Sequence, residues 1–255
     1  MPLHLITIPC LTDNYAYLVH DAASGRTAVI DAPEAGPIIA ALDAQQWRLT
    51  DILITHHHSD HIDGVEELRA RSHARVYGAA ADAHRLPRLD EALVEGSRFW
   101  IGAEEVQVIE VPGHTIGHIA FLMPGSGYAF TADSLMSGGC GRIFEGSPRQ
   151  MHDSLQKLAR LHPETLICSG HEYTASNLRF ALTLEPQNPQ LISRQAMTAA
   201  HRVQGIPTVP VALATELATN PYLRAHLPAL KAAVGLPDAD AAIVFAEIRA
   251  RKDKF

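Results

Sequence analysis

The pattern of apolar and polar positions changes character near residue 173. Before that point, short apolar runs are separated by turn residues. LHLITI, YAYLVH and TAVIDA predict strands, with Ser24–Gly25 at a hairpin turn between the last two. Residues 35–46, AGPIIAALDAQQ, have helical spacing. DILIT (51–55) predicts a short buried strand, VEELRARS a helix and ARVYGA another strand. This β-α-β alternation points to an α/β layered unit. RFWI, EEVQVIEV, HIAFLM and YAFTAD continue as strands, with a hairpin turn at 125–127, then a helix over 148–161 and a strand over 165–170. Beyond Tyr173 the spacing is mainly helical: TASNLRFALTLE, NPQLISRQAMTAAHRVQ and DADAAIVFAEIRARKDK. The expected organisation is therefore a mixed α/β domain over 1–172 and a helical domain over 173–255, with no long linker between them.

Composition narrows the function classes. The chain has 255 residues, 47% of them hydrophobic and 19% charged, which is the profile of a globular protein. Its net charge of -7, with no long basic run, argues against nucleic-acid binding. Neither a secretory signal nor a membrane span is expected. Three widely spaced cysteines, Cys10, Cys140 and Cys168, without C-x-x-C spacing, fit reduced thiols in a cytoplasmic protein, serving as buried packing residues.

Candidate chemistry is concentrated in THHHSDHIDG, residues 55–64. Side chains alternate along a strand, so His56 and His58 point one way and His57 the other. Asp60 and His61 follow where the chain turns toward the next helix, and Asp63 reads as the residue that starts it. Imidazole nitrogens and carboxylate oxygens suit zinc, iron or manganese. Three later positions, His114 in VPGHT, Asp133 in FTADS and His171 in CSGHE, each follow a strand beside a small residue. Five histidines and two aspartates are enough for two metals sharing one carboxylate. Asp31, ending the VID strand, has two open roles: bracing the metal shell by hydrogen bonds, or a plain turn. His118 reads as a structural neighbour rather than a ligand.

The H-x-H-x-D-H run met by His56, His58, Asp60 and His61 resembles that of the metallo-β-lactamase superfamily. The resemblance implies an αββα sandwich. It also implies one metal on His56, His58 and His114, a second on Asp60, His61 and His171, and Asp133 bridging the two. More of the chain is similar to one branch, the glyoxalase II (hydroxyacylglutathione hydrolase) family: IPCLTDNYAYLV, FTADSLMSGGCGRIFEGSP, GHEYTASNLRFALTLEPQN and the tail IRARKDKF. That resemblance implies hydrolysis of S-D-lactoylglutathione to D-lactate and glutathione. The nucleophile would be a hydroxide held between two divalent ions, zinc with iron or manganese as alternatives, with Asp60 and Asp133 as metal-held carboxylates at the reacting centre.

Glutathione contacts are implied at Arg142, Tyr173, Arg249 and Lys252, with Asn177 a weaker candidate. Arg249 and Lys252, one helical turn apart, can share a face. Many relatives carry Lys at position 142 and Tyr at 144. Arg142 keeps the charge, whereas Phe144 offers no hydroxyl. The remaining expectations are a small-molecule substrate, no nucleic-acid or membrane partner, and a monomer. The competing readings are another hydrolase of the same fold and a mononuclear-iron persulfide dioxygenase.

Overall fold

The computed structural model describes residues 2–255, which fall into two compact units. One runs up to Glu110 and includes Ile116–Ala132; the other comprises Val111–Thr115 and Asp133–Phe255.

In the first unit, the opening apolar runs form β1 (His4–Cys10), β2 (Asn14–Asp21) and β3 (Arg26–Ile30), an antiparallel meander. Gly25 closes the predicted β2–β3 hairpin at φ 74, a left-handed conformation that glycine adopts without steric cost, and its amide donates to the Asp21 carbonyl at 2.8 Å. Three parallel neighbours follow: β4 (Asp51–Leu53), β5 (Arg75–Ala79) and β6 (Glu91–Leu93), giving the order β1-β2-β3-β4-β5-β6. Parallel pairing requires crossovers. The first is α1 (Ala35–Gln45), the second, after the single turn α2 (Ser59–Ile62), is α3 (Val65–Ser72), and the third, over residues 80–90, holds only the short 3-10 turn Ala80–Asp82.

Ile38 and Leu42 of α1 and Val65 and Leu68 of α3 join Leu18, Val29, Ile52 and Val76 of the sheet in one buried apolar cluster. A second antiparallel series follows: β7 (Arg98–Ile101), β8 (Glu104–Glu110), β9 (Ile119–Met123) and β10 (Tyr128–Ala132). The two sheets meet through aromatic rings: Tyr77 stacks on Phe99 at 4.6 Å and Tyr17 meets Phe130 edge-on at 5.5 Å.

Two local expectations shift. The predicted strand over 51–55 ends at Leu53, although the Ile54 amide still donates to the Tyr77 carbonyl at 2.9 Å. Asp63 does not start a helix. Residues 59–62 themselves form a helical turn, Asp63 caps its C-terminal end, and α3 begins after Gly64. Gly64 is dictated by proximity, since a Cβ there would lie 2.7 Å from the Ala35 amide nitrogen.

The second unit contains a tight hairpin, β11 (Leu135–Met136) and β12 (Gly139–Cys140), that the apolar pattern does not announce. Then come α4 (Pro148–Leu158), β13 (Leu166–Ser169), α5 (Thr174–Leu184) and α6 (Pro189–Val203). The chain continues through β14 (Val211–Ala212), α7 (Leu213–Thr219), α8 (Pro228–Ala233) and α9 (Ala241–Lys252). The predicted helix over 148–161 begins on a Ser147–Gln150 capping box and ends three residues early, in a tighter turn. Asn188 caps α6 by accepting from the amides of Gln190 and Leu191.

A buried charge pair lies among these helices. Arg194 of α6 bonds Glu216 of α7, and donates to Ser137 Oγ at 2.8 Å and to Thr219 Oγ1. Glu216 in turn accepts the Gly138 amide at 2.9 Å, and Asn220 donates to the carbonyls of Met136 and Gly139 at 3.2 and 2.9 Å. The hairpin that follows Asp133 is thus fixed by helical residues remote in sequence.

Candidate metal centre

The first donor set grows out of the end of β4. Asp31 sits at the end of β3 with φ 57, a left-handed backbone that aspartate tolerates better than most residues. There its carboxylate accepts the Thr55 amide and hydroxyl, both at 2.8 Å, and His61 Nδ1 at 2.8 Å. Because the Thr55 hydroxyl donates to Asp31, it accepts from His56 Nδ1 at 3.0 Å. Both Nδ1 atoms therefore carry the proton, and His56 and His61 each present an Nε2 lone pair.

His56 Nε2 faces His58 Nδ1 at 3.1 Å, and His61 Nε2 lies 3.9 Å from Asp60 Oδ2. Asn14 clamps Asp60, donating to its carbonyl at 2.9 Å and to its carboxylate at 3.0 Å. Asp31 is close enough to His56 and His61 to be counted with them as a donor group. Its two oxygens are already engaged with Thr55 and His61, so it braces the ligands. His57 points to Asp82, with Nδ1 3.2 Å from Oδ2, and Asp82 also holds Arg85 at 2.6 Å. The His118 ring lies parallel to His56 at 4.7 Å, its Nδ1 3.1 Å from the Ile119 carbonyl.

The second donor set comes from three separated segments. His114 Nδ1 donates to the Arg142 carbonyl at 2.7 Å, which leaves Nε2 as the lone-pair nitrogen. His114 Nε2 and His171 Nε2 lie 3.4 and 3.3 Å from the same oxygen, Asp133 Oδ2. Gly141 makes this approach possible: a Cβ there would sit 2.0 Å from the Asp133 carbonyl oxygen and 3.0 Å from His114 Nδ1. Ala132, immediately before Asp133, holds φ 40, a left-handed strain of about 1–2 kcal/mol that helps aim the carboxylate. His171 stacks on Tyr173 at 4.7 Å.

Both sets pass a chemical test for divalent metal. All donors are imidazole nitrogens or carboxylate oxygens, and at His56, His61 and His114 a hydrogen bond to Nδ1 fixes the ring and the tautomer that exposes the Nε2 lone pair. The cysteines contribute nothing. All three are buried, and loss of solvent raises the Cys10 and Cys140 thiols to about 11.

The four residues expected at glutathione are distributed unevenly in the second unit. Arg249 is buried, donating to the Cys140 carbonyl at 3.0 Å and pairing with Asp253 at 2.8 Å, its guanidinium over the Tyr222 ring. Arg142 is exposed, 4.0 Å from Asp253. Lys252 rests between the rings of Phe180 and Phe255 and donates to Ser176 Oγ at 3.1 Å. Tyr173 is partly exposed, Phe144 leans edge-on toward His114, and Asn177 donates to the Ser137 carbonyl at 3.0 Å.

The chain is similar to known proteins over its whole length. Residues 12–171 match the metallo-beta-lactamase superfamily, and residues 172–255 match the hydroxyacylglutathione hydrolase C-terminus. A hydroxyacylglutathione hydrolase of Fuscovulum blasticum is 66% identical over 255 residues, covering 100% of both chains. The chain belongs to the hydroxyacylglutathione hydrolase family. A further relative of the same name, from Ruegeria pomeroyi, is 56% identical across 100% of both chains.

Among solved structures, the B3 metallo-beta-lactamase BLEG-1 aligns with a TM-score of 0.67 at 20% identity, over 86% of this chain and 99% of that one. ETHE1 from Myxococcus xanthus aligns with a TM-score of 0.58 at 26% identity, over 88% and 99%. The fold is accordingly the metallo-β-lactamase α/β fold with a C-terminal helical domain. Family membership makes the protein a hydrolase, and its histidine and aspartate groups bind divalent metal. No helix among the described residues is long and apolar enough to cross a membrane.

Two residues at the centre escaped the sequence reading. Asn14 lies within the quoted stretch IPCLTDNYAYLV but carries no metal-ligand signature. Asp82 has no motif at all, because its pairing with His57 is purely tertiary.

Proposed function

We propose that the chain hydrolyses S-D-lactoylglutathione to D-lactate and glutathione with two divalent cations. His56, His58 and His114 would hold one, Asp60, His61 and His171 would hold the other, and Asp133 would serve both. The observation that carries this reading is the placing of two imidazole Nε2 atoms at 3.4 and 3.3 Å from one oxygen of Asp133, as a carboxylate common to two metals requires. Zinc suits the donor set, and iron and manganese suit it as well.

When bound, the cations supply Lewis acidity, lowering the pKa of water to about 7 and polarising a carbonyl. The chain's own residues do the rest. Asn14 fixes the direction of Asp60, and Asp31 fixes that of His61. Arg142, Tyr173, Arg249 and Lys252 bind the tripeptide so that its thioester carbonyl meets the donor-rich centre. Water's oxygen adds to that carbonyl and gives up its proton to solvent; as the C=O bond re-forms, the C–S bond breaks and its electron pair leaves on sulfur. A thiol with a pKa of about 8.5 departs as thiolate without obligatory protonation. No side-chain nucleophile is needed, and the buried cysteines offer none.

Residues 1–172 act on this reading as the metal-binding domain and residues 173–255 as the substrate-binding domain, a division supported by the adjoining matches to 12–171 and 172–255. The test combines metal counting with a lactoylglutathione assay on one preparation purified without chelator. About two metals per chain with thioester turnover is the expected result. One iron per chain with oxygen uptake and no thioester turnover would replace it with the dioxygenase reading.

A further inference from the structure

Beside Arg142, Arg249 and Lys252 stands a fourth cation, Arg179. Arg179 lies on α5, three residues after Ser176, so the two are neighbours on the helix surface. Ser176 is the residue whose hydroxyl accepts Lys252 Nζ at 3.1 Å, and Phe180, next to Arg179, carries Lys252 Nζ over its ring at 5.6 Å. Arg179 is exposed, and among the described residues its guanidinium takes part in no hydrogen bond or ion pair. Its charge is nonetheless felt at Lys252. Burial first, then the charges of Arg249, Arg179 and Arg142, hold that ammonium below the ordinary lysine value of 10.5, with Asp253 alone opposing them.

The charge balance is lopsided. Arg249 is matched by Asp253 at 2.8 Å, and Arg142 reaches that same carboxylate only at 4.0 Å. Arg142, Arg179 and Lys252 therefore hold positive charge beyond what Asp253 offsets. In a chain of net charge -7, three crowded cations that share one aspartate are a costly arrangement that a ligand bearing two carboxylates relieves.

We infer that Arg179 is a further specificity-determining residue, its guanidinium pairing with a carboxylate of the thiol carrier alongside Arg142 and Lys252. This rests on the glutathione-thioester reading above and extends it to a residue outside the implied contact set. Arg179 acts on binding, so its effect falls in KM and on substrates that carry carboxylates.

The experiment measures KM and kcat for lactoylglutathione, and for the uncharged thioester S-lactoyl-N-acetylcysteamine, in wild type and in Arg179→Gln, Arg179→Glu and Arg179→Lys. Calorimetric binding of glutathione is measured on the same proteins. An exposed ion pair contributes at most about 1 kcal/mol, so Arg179→Gln raises KM for lactoylglutathione about 5-fold, and charge reversal in Arg179→Glu about 25-fold. Arg179→Lys recovers most of the loss, the uncharged thioester shows no such change, and the differences shrink in high salt. Arg71→Glu on α3 controls for the change in net charge and leaves KM as in wild type.

Unchanged KM and unchanged glutathione affinity in both Arg179→Gln and Arg179→Glu overturn the inference, as does an equal loss on the uncharged thioester. If wild type fails to turn over lactoylglutathione, the functional reading fails. Glutathione binding to wild type and variants then still decides the role of Arg179.

Discussion

The first unit draws its four ligand candidates from within six consecutive residues, His56 to His61, whereas the second draws three from positions scattered between residues 114 and 171. In the first, one buried carboxylate organises the group: Asp31 holds Thr55 and His61 directly, and His56 through the Thr55 hydroxyl. In the second, backbone does that work. A carbonyl fixes His114, a glycine opens the space beside Asp133, and helical side chains fix the hairpin beyond it. Contiguous ligands can be braced by one neighbour. Dispersed ligands depend on the whole surrounding fold, so damage far from the centre should be felt more strongly in the second unit.

The sharpest way to break this contrast is Arg194→Met, which leaves Glu216 buried and unpaired. Removing one partner of a buried pair costs about 3–5 kcal/mol, or roughly 10 °C in melting temperature at this size. Calorimetric unfolding of the variant checks it. A shift below about 2 °C would show that the hairpin does not depend on the network.

Asp133→Ala comes next. Loss of the shared carboxylate should lower kcat/KM for lactoylglutathione by more than about 100-fold, beyond what outer-shell changes typically produce, with metal content reduced. Asp31→Asn should cost about 10–100-fold in metal affinity, read by competition with a chromophoric chelator, because His61 then loses its charged acceptor. If Asp31→Asn proved as damaging as Asp133→Ala, the distinction between bracing residue and ligand would not hold.

The smallest effect is one of pH. Lys252 has a folded-state pKa below its unfolded value. Across the interval between those values the unfolded chain binds more protons, so stability rises with pH through that window. Glutathione affinity should move the other way, falling as Lys252 loses its charge and beginning to fall below pH 10.5. Melting curves and calorimetric titrations at several alkaline pH values test the pair of opposite slopes, and Lys252→Met should abolish both.

The same contrast explains what could be read from sequence. The run His56–His61 is visible because its spacing is local. His114, Asp133 and His171 stand out because each follows an apolar strand beside a small residue. Asp31 could be flagged only as one of two things, and the hydrogen bonds to Thr55 and His61 decide for bracing. Asp63 misled because a polar residue before VEELRARS looks like a helix start, while the preceding residues had already turned helical. Arg194 and Glu216 sit on helices where charge ordinarily means solvent, and only the packed structure shows them buried against each other. Asn14 and Asp82 are local to nothing they serve. Their partners, Asp60 and His57, are reached through the fold alone.

The burial of Cys10, Cys140 and Cys168 has a bearing on the product. A hydrolase that releases a thiol works beside that thiol and its oxidised dimer. Disulfide exchange needs an accessible thiolate. Sulfurs sealed from solvent and kept protonated cannot form mixed disulfides with the product, so the protein can operate through swings in cellular redox state without being capped by what it makes.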